Sequence, residues 1–106
     1  NRTWSQVGKD IPTNTTPFSL DFSDDGSVLA ILTHNYPITY TLNNITKQWH
    51  VLGNNAPVMG SFEGLTSLSA NGSIVAHSDS LYEEETGAVY VHHLDPETGN
   101  WTLMGG

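Results

Sequence analysis

The sequence contains no cysteine and few basic residues. Without cysteine, disulfide frameworks, cysteine-type zinc sites and thiol catalysis are all excluded. Lys and Arg number 3 against 11 Asp and Glu, which gives a formal net charge of -8. Such a chain repels a phosphate backbone and an anionic membrane surface, so we expect neither nucleic acid nor a membrane as partner. No apolar run approaches the roughly 18 residues that would cross a bilayer.

Sequence signatures of catalysis and of metal binding are scarce as well. There is no nucleophile-elbow motif and no phosphate-binding glycine loop. The histidines are His34, His50, His77, His92 and His93. The adjacent His92 and His93 point to opposite faces of a strand and cannot share an ion. We interpret the acidic segments Ser23–Ser27 and Tyr82–Gly87 as a turn and a solvated loop rather than calcium sites. We therefore expect no enzyme, no metal and no other cofactor.

What the sequence does contain is a repeat. A Trp four residues ahead of a Gly occurs three times, in WSQVG, WHVLG and WTLMG. The pairs are Trp4 with Gly8, Trp49 with Gly53, and Trp101 with Gly105. Between them, FSLDFSDDGSVLAIL from Phe18 aligns without a gap with GLTSLSANGSIVAHS from Gly64. A period of about 50 residues indicates propeller blades or another stacked array. We place the two repeats at residues 1–53 and 54–106.

Local patterns predict that the repeats consist of β-strands. Apolar and polar residues alternate along Phe18–Ser23 and Ile38–Leu42, which places the apolar side chains on one face of a sheet. SVLAIL and its weaker copy SIVAHS are typical of inner strands. The Asp-Gly and Asn-Gly pairs that precede them predict tight turns in which glycine has a positive φ. No segment shows a 3.6-residue apolar period, so we predict an all-β fold.

The predicted strands form two propeller-blade-like, four-stranded antiparallel repeats. They lie around Phe18–Ser23, Ser27–Leu32, Ile38–Leu42, Gln48–Leu52, Leu65–Ser69, Ser73–His77, Ala88–Leu94 and Trp101–Met104. One extra N-terminal strand, in TWSQVG, matches the last strand of each repeat and would complete a preceding blade. Two blades cannot close a propeller ring. We expect either a piece of a longer array or several joined chains. The Trp and Gly residues of the three WxxxG motifs are predicted to pack neighbouring repeats together.

The order SxxGSxxA, GxVxVxxL and WxxxG resembles the propeller-type repeats of large secreted proteins of stramenopile algae, over essentially the whole chain. The second repeat carries this pattern at Gly87, Val89, Val91, Leu94, Trp101 and Gly105. The first repeat is shorter and has Pro37-Ile38 where the pattern has a glycine. LDPETGNW is distantly similar to a kelch blade edge, without the paired glycines of kelch repeats. The resemblance implies secretion, but propellers host many unrelated activities.

Five acceptor triplets for N-linked sugar are present, against about two expected by chance. Their asparagines are Asn1, Asn14, Asn44, Asn71 and Asn100. All five fall in predicted turns or strand edges, where a sugar can project into solvent. Asn71 also has a competing role, since Asn-Gly is a preferred hairpin pair. We expect N-linked glycans and a secreted, extracellular or cell-surface location.

Our hypothesis for function is an extracellular structural repeat unit that joins copies of itself head to tail. An unpaired strand can add to a neighbour's sheet, and repeated contacts of this kind give a ring or a filament. A fibre, surface hair or coat is the favoured form. The alternative is a lectin-like propeller module that binds carbohydrate or protein through loops around Tyr36 and Tyr82. A Trp platform for sugar rings would show the same recurrence as a packing Trp.

Overall fold

In a computed structural model of the chain, the described residues are 3–13, 16–33, 37–53, 64–79 and 87–104. These ranges contain strands and turns but no helix, and hence no helix that could cross a membrane. The strands are β1 (Pro17–Phe22), β2 (Val28–Thr33), β3 (Pro37–Leu42), β4 (Trp49–Val51), β5 (Thr66–Leu68), β6 (Ile74–Asp79), β7 (Ala88–Leu94) and β8 (Trp101–Leu103). The predicted all-β fold and its eight repeat strands are confirmed.

The strands form two separate antiparallel sheets, each a simple meander. The first sheet has the order β1-β2-β3-β4 and the second β5-β6-β7-β8. We call them the first blade and the second blade. Strand β2 is buried along its whole length, as its continuous apolar sequence predicts. Polar and apolar residues alternate in β1, but the partly covered face carries Ser19 and Asp21, and the apolar side chains of the other face are exposed.

The turns at the start of each blade depend on a glycine with a positive φ. Gly26 has a φ of 76° and Gly72 a φ of 78°. In the first blade the backbone N–H of Gly26 donates to the Ser23 carbonyl, and that of Ser23 donates to the Val28 carbonyl, both at 2.9 Å. The second blade repeats both bonds. The prediction of tight glycine turns is confirmed, and it explains the Asp-Gly and Asn-Gly pairs.

Strand register makes the two blades equivalent position by position. Phe22 pairs with Leu29 in the first blade, as Leu68 pairs with Val75 in the second. At the other edge Leu42 pairs with Trp49, as Leu94 pairs with Trp101. Each residue of the first blade therefore has a counterpart in the second. The environments of two counterparts can therefore be compared to find what lies against each blade.

The segment Trp4–Gly8 differs from the prediction in its hydrogen bonding. It was expected as an extra strand, but it forms no β-ladder. The physical reason is pairing: β4 is held by β3 and β8 by β7, whereas the third strand of a preceding blade is absent from the described part of the chain. Trp4 is consequently fully exposed, and the segment contacts the first blade only through its end.

Candidate functional site

The surface between the two blades holds a buried hydrophobic cluster. The cluster consists of Ala30 of the first blade and Val75 and Trp101 of the second blade. Three partly buried leucines pack against it. These are Leu52, Leu68 and Leu94. We call the side of the first blade that carries Ala30 its front face, and the side of the second blade that carries Val75 its rear face. Because the two blades are equivalent, each blade has a front face and a rear face.

Trp101 shows what the WxxxG motif does. Its indole Nε1–H donates to the Thr39 hydroxyl at 2.7 Å and to the Leu52 carbonyl at 3.0 Å, and the side chain is only 2% exposed. Gly53 lies against the ring, with a φ of 70°. A Cβ there would lie 3.2 Å from Trp101 Cδ1 and 2.7 Å from the Gly99 carbonyl oxygen. The glycine of one repeat thus admits the tryptophan of the next.

The same contact occurs a second time, at Trp49. Its indole N–H donates to the Val7 carbonyl at 3.1 Å. Gly8 has a φ of 75°, and a Cβ on it would lie 2.9 Å from the Lys47 carbonyl oxygen and 3.1 Å from Trp49 Cδ1. Val7 and Gly8 therefore stand to Trp49 as Leu52 and Gly53 stand to Trp101. We call the place beside the Trp49 ring the Trp49 subsite.

Val28 and Gly72 form a second close steric contact between the blades. A Cβ on Gly72 would lie 2.8 Å from both Cβ and Cγ2 of Val28, so only glycine fits there without movement. Its counterpart Gly26 has no heavy atom within 4 Å of the same point. The two glycines have nearly the same backbone angle. What differs is that a preceding blade covers Gly72 and no described residue covers Gly26.

Polar groups of β1 complete the contact by binding the edge of β5. The Ser19 hydroxyl accepts a hydrogen bond from the Thr66 N–H at 3.0 Å, and the Asp21 carboxylate accepts one from the Leu68 N–H at 2.7 Å. These two N–H groups are not used in pairing with β6. Since a buried donor without a partner is costly, the side chains of one blade satisfy the free edge of the next.

The rear face of the first blade carries an open groove with a volume of about 740 Å³. Its lining residues are Val7, Phe22, Ser23, Asp24, Asp25, Gly26, Leu29, Leu42 and Trp49. Every one of them has a counterpart at the rear of the second blade: Leu52, Leu68, Ser69, Ala70, Asn71, Gly72, Val75, Leu94 and Trp101. There the equivalent space is occupied by Val28 and Ala30. We call this space the rear groove.

The front face of the second blade is apolar and exposed. Ile74, the counterpart of Val28, is 37% exposed, and Ala76 is the counterpart of Ala30. Leu65 and Val89 are the most exposed apolar residues of this face, and Met104 is 46% exposed. A shallow depression of about 190 Å³ runs past Ala76. The chain therefore presents at one end the residue types that fill the groove at its other end.

Two stacked histidines lie on the rear face of the second blade. The rings of His77 and His92 have centroids 5.2 Å apart and planes inclined by 17°, and both side chains are fully buried. Burial, with a smaller contribution from the charge of His92, lowers the pKa of His77 to about 4. Burial also lowers the pKa of His92. This pair was not predicted from the sequence. Ile31 and Tyr40 occupy the counterpart positions in the first blade, but the pairing of the two histidines depends on the register of β6 and β7.

The turn residues Asp25 and Asn71 play one structural role. The Asp25 carboxylate accepts hydrogen bonds from the Ser27 hydroxyl at 2.7 Å and the Ser27 N–H at 2.9 Å, and Asn71 accepts the same pair from Ser73. The bond from the Ser27 hydroxyl is the main cause that lowers the pKa of Asp25, followed by that from the backbone N–H. These hydrogen bonds hold Ser23–Ser27 in a turn.

Three of the five predicted glycosylation residues lie in the described part of the chain. Asn44 and Asn100 are exposed in the connections that precede β4 and β8, and Asn71 is exposed in the turn between β5 and β6. The side-chain oxygen of Asn71 is engaged in its turn. The connections that carry Asn44 and Asn100 end beside Trp49 and Trp101, so sugars there would decorate equivalent edges of the two blades.

Several predicted features fall outside the described residues. They are Asn1, Asn14, His34, Tyr36, Tyr82 with its acidic neighbours up to Thr86, and Gly105. Among the residues that the structure describes, no group of three His, Cys, Asp or Glu side chains is placed to hold a metal ion. His50 is exposed on β4, and His93 contacts the Thr102 hydroxyl through Nε2 at 2.7 Å.

Comparisons with known proteins give no match for this chain. No protein-family model, no curated protein and no solved structure shows significant similarity.

Proposed function

We propose that the chain is a structural repeat unit of an extracellular glycoprotein and joins copies of itself head to tail into a fibre, surface hair or coat. The observation that carries this proposal is the rear groove of the first blade. Three of its lining residues, Gly26, Leu29 and Trp49, have counterparts in the second blade, Gly72, Val75 and Trp101, that pack against the first blade. The groove is thus shaped for the front face of another blade of this kind.

A second copy supplies the residues that fit the groove. Ile74 of an incoming copy would occupy the place of Val28 and lie over Gly26, where a Cβ would meet nothing within 4 Å. Ala76 would lie where Ala30 lies in the existing contact, against Leu29 and Trp49. Ile74 exceeds Val28 by one methylene group, and the groove has room for it.

The gain from each contact is modest. Burying one exposed aliphatic side chain contributes about 1.5 to 3 kcal/mol when the whole side chain leaves water, and Ile74 and Phe22 are already about half covered. Association also costs rotational and translational freedom. We therefore expect assembly that depends on protein concentration, with the sum of front-face contacts rather than any one residue setting the affinity.

The charge and the acceptor triplets support the extracellular setting. Acidic residues give the chain a formal charge of -8, which opposes random lateral association. Asn44 and Asn100 are exposed in the connections that precede β4 and β8, and neither residue lines the rear groove. Sugars at these positions would project into solvent.

The experiment uses two variants, each with one face disabled. Ile74→Asp places a charge on the front face, and Phe22→Asp places one in the rear groove. Each variant alone should sediment as a monomer at concentrations where the parent chain forms larger species. When the two variants are mixed in equal amounts, the rear groove of Ile74→Asp should bind the front face of Phe22→Asp. Assembly should end at the dimer, because neither chain has a second functional face. Ile45→Asp is the matched control, because Ile45 is 92% exposed in a turn and does not line the rear groove.

The proposal fails if the parent chain stays monomeric up to millimolar concentration by sedimentation velocity, or if Ile45→Asp has the same effect as Ile74→Asp. The glycoprotein part has its own test. Chain produced in a eukaryotic secretory pathway should lose mass on enzymatic removal of N-linked sugars, and Asn44→Gln should abolish part of that loss. A mass unchanged by the enzyme would contradict glycosylation.

A further inference from the structure

The Trp49 subsite is already occupied by the chain's own N-terminal segment. In the contact between the two blades, a preceding blade supplies both the groove-filling residues and the carbonyl that accepts the tryptophan N–H. At the rear of the first blade these two parts are separated. The groove is open, while Val7 and Gly8 occupy the position that the last residues of a preceding blade would take.

This segment is held much more loosely than its counterpart. Leu52 continues from β4, and its N–H donates to the Thr39 carbonyl at 2.9 Å, so its position is fixed by the sheet. The residues from Thr3 to Val7 are exposed and belong to no sheet. Besides the Val7 carbonyl, the segment is attached through the Lys9 N–H, which donates to the Gln48 side chain at 3.0 Å. A segment with so few contacts is readily exchanged.

Met104 is a ready replacement for Val7. It follows β8 as Leu52 follows β4, and its N–H donates to the Val91 carbonyl at 2.8 Å, which repeats the bond that fixes Leu52. The sequence continues with glycine, as it does after Val7 and after Leu52. Trp49 and Trp101 donate to other carbonyls and Trp4 is fully exposed. The Met104 carbonyl is therefore pre-positioned as an acceptor that no tryptophan of its own chain uses.

We propose that the Trp49 subsite is a peptide-binding site in which the N-terminal segment is an internal competitor, and that its ligand during assembly is the Leu103–Met104 end of a second copy. This rests on the proposed head-to-tail function and adds a step to it. Docking of a front face in the rear groove brings Met104 to the place held by Val7. The segment must leave Trp49 before the contact is complete.

The competition lowers the apparent affinity between copies. Only the fraction of chains with a free subsite can complete the contact, and the apparent dissociation constant rises in inverse proportion to that fraction. A substitution that releases the segment without touching a blade should therefore strengthen assembly. Gly8→Ala is such a change, because the φ of 75° strains any Cβ and the added atom would lie 2.9 Å from a carbonyl oxygen.

The first measurement compares self-association of the full parent chain with Gly8→Ala and with Ser5→Ala, an exposed residue of the same segment that serves as control. Sedimentation velocity should show self-association that is about fivefold tighter, or more, for Gly8→Ala and unchanged for Ser5→Ala. If instead Gly8→Ala associates more weakly, the segment is part of the joint rather than a competitor, and the inference is overturned while head-to-tail assembly stands.

The second measurement decides the inference even if no assembly occurs. The indole N–H signal of Trp49 is followed by NMR in the full-length Gly8→Ala chain, with assignment from Trp49→Phe. A peptide of residues 100–106 and one of residues 3–10 should both shift this signal and saturate, and the residue 3–10 peptide with Gly8→Ala should not. Absence of any shift by the first peptide would refute the assigned ligand. Saturable shifts without self-association would uphold the subsite and refute the proposed function.

Discussion

Substitution of the two turn glycines separates backbone strain from packing between blades. Gly26 and Gly72 share a positive φ near 76° to 78°, so alanine at either position carries the same cost of about 1 kcal/mol for the left-handed conformation. Only at position 72 does the new methyl group meet Val28, at 2.8 Å from two of its carbons. Overpacking of this kind typically costs a further 1 to 3 kcal/mol, as an order of magnitude. The difference between Gly72→Ala and Gly26→Ala is therefore expected to be about 1 to 3 kcal/mol.

Equilibrium unfolding in urea measures this difference directly. With a slope of about 1 to 3 kcal/mol per molar urea, the midpoint of Gly72→Ala should lie roughly 1 M below that of Gly26→Ala. Adding Val28→Ala should reduce the extra cost at position 72 and leave that at position 26 unchanged, because the coupling is specific to one pair. Midpoints that agree within about 0.3 M would refute the assignment of Gly72 to the contact between blades.

Three further predictions concern single residues. Trp101→Phe removes the indole N–H that donates to Thr39 and Leu52. In urea titration this should lower the free energy of unfolding by about 1 to 3 kcal/mol. Trp49→Phe should cost less, because the Val7 partner of Trp49 is exposed. The pKa of His77 falls to about 4 in the fold, so the unfolded chain binds more protons between pH 6.5 and 4. The free energy of unfolding should thus fall by up to about 3 kcal/mol as the pH drops through this range, and His77→Leu should flatten the pH profile. Lys47 has a φ of 60° where its counterpart Gly99 has 75°, and Lys47→Gly should stabilise the chain by about 0.5 to 1 kcal/mol in thermal unfolding.

Local sequence patterns were sufficient to predict the sheets. The alternation in Phe18–Ser23, the apolar run in β2 and the glycine turns are properties of short segments, and all were confirmed. The segment Trp4–Gly8 could not be predicted from its own residues. It repeats the pattern of β4 and β8, but a strand requires a partner, and the identity of that partner is not encoded in the five residues themselves.

The environments of the front and rear faces of each blade depend on information that no single repeat contains. The alignment showed that Gly26 and Gly72 are equivalent, yet only the structure places Val28 on one of them and leaves the other uncovered. The stacking of His77 on His92 likewise follows from the register of β6 and β7. In the sequence, His92 and His93 are visibly adjacent along the chain, whereas the adjacency of His77 and His92 across the sheet is not visible.

Each blade carries both halves of the contact that joins it to the next: a β-branched residue at the start of its second strand and a glycine in the turn just before it, as in Val28 with Gly26 and Ile74 with Gly72. Duplication of one such unit in a gene would therefore create a new joint with its two sides already matched. Arrays of different lengths could arise by gain or loss of whole units, without any compensating substitution at the seams. A single altered glycine would, by the same logic, interrupt the array at one defined place.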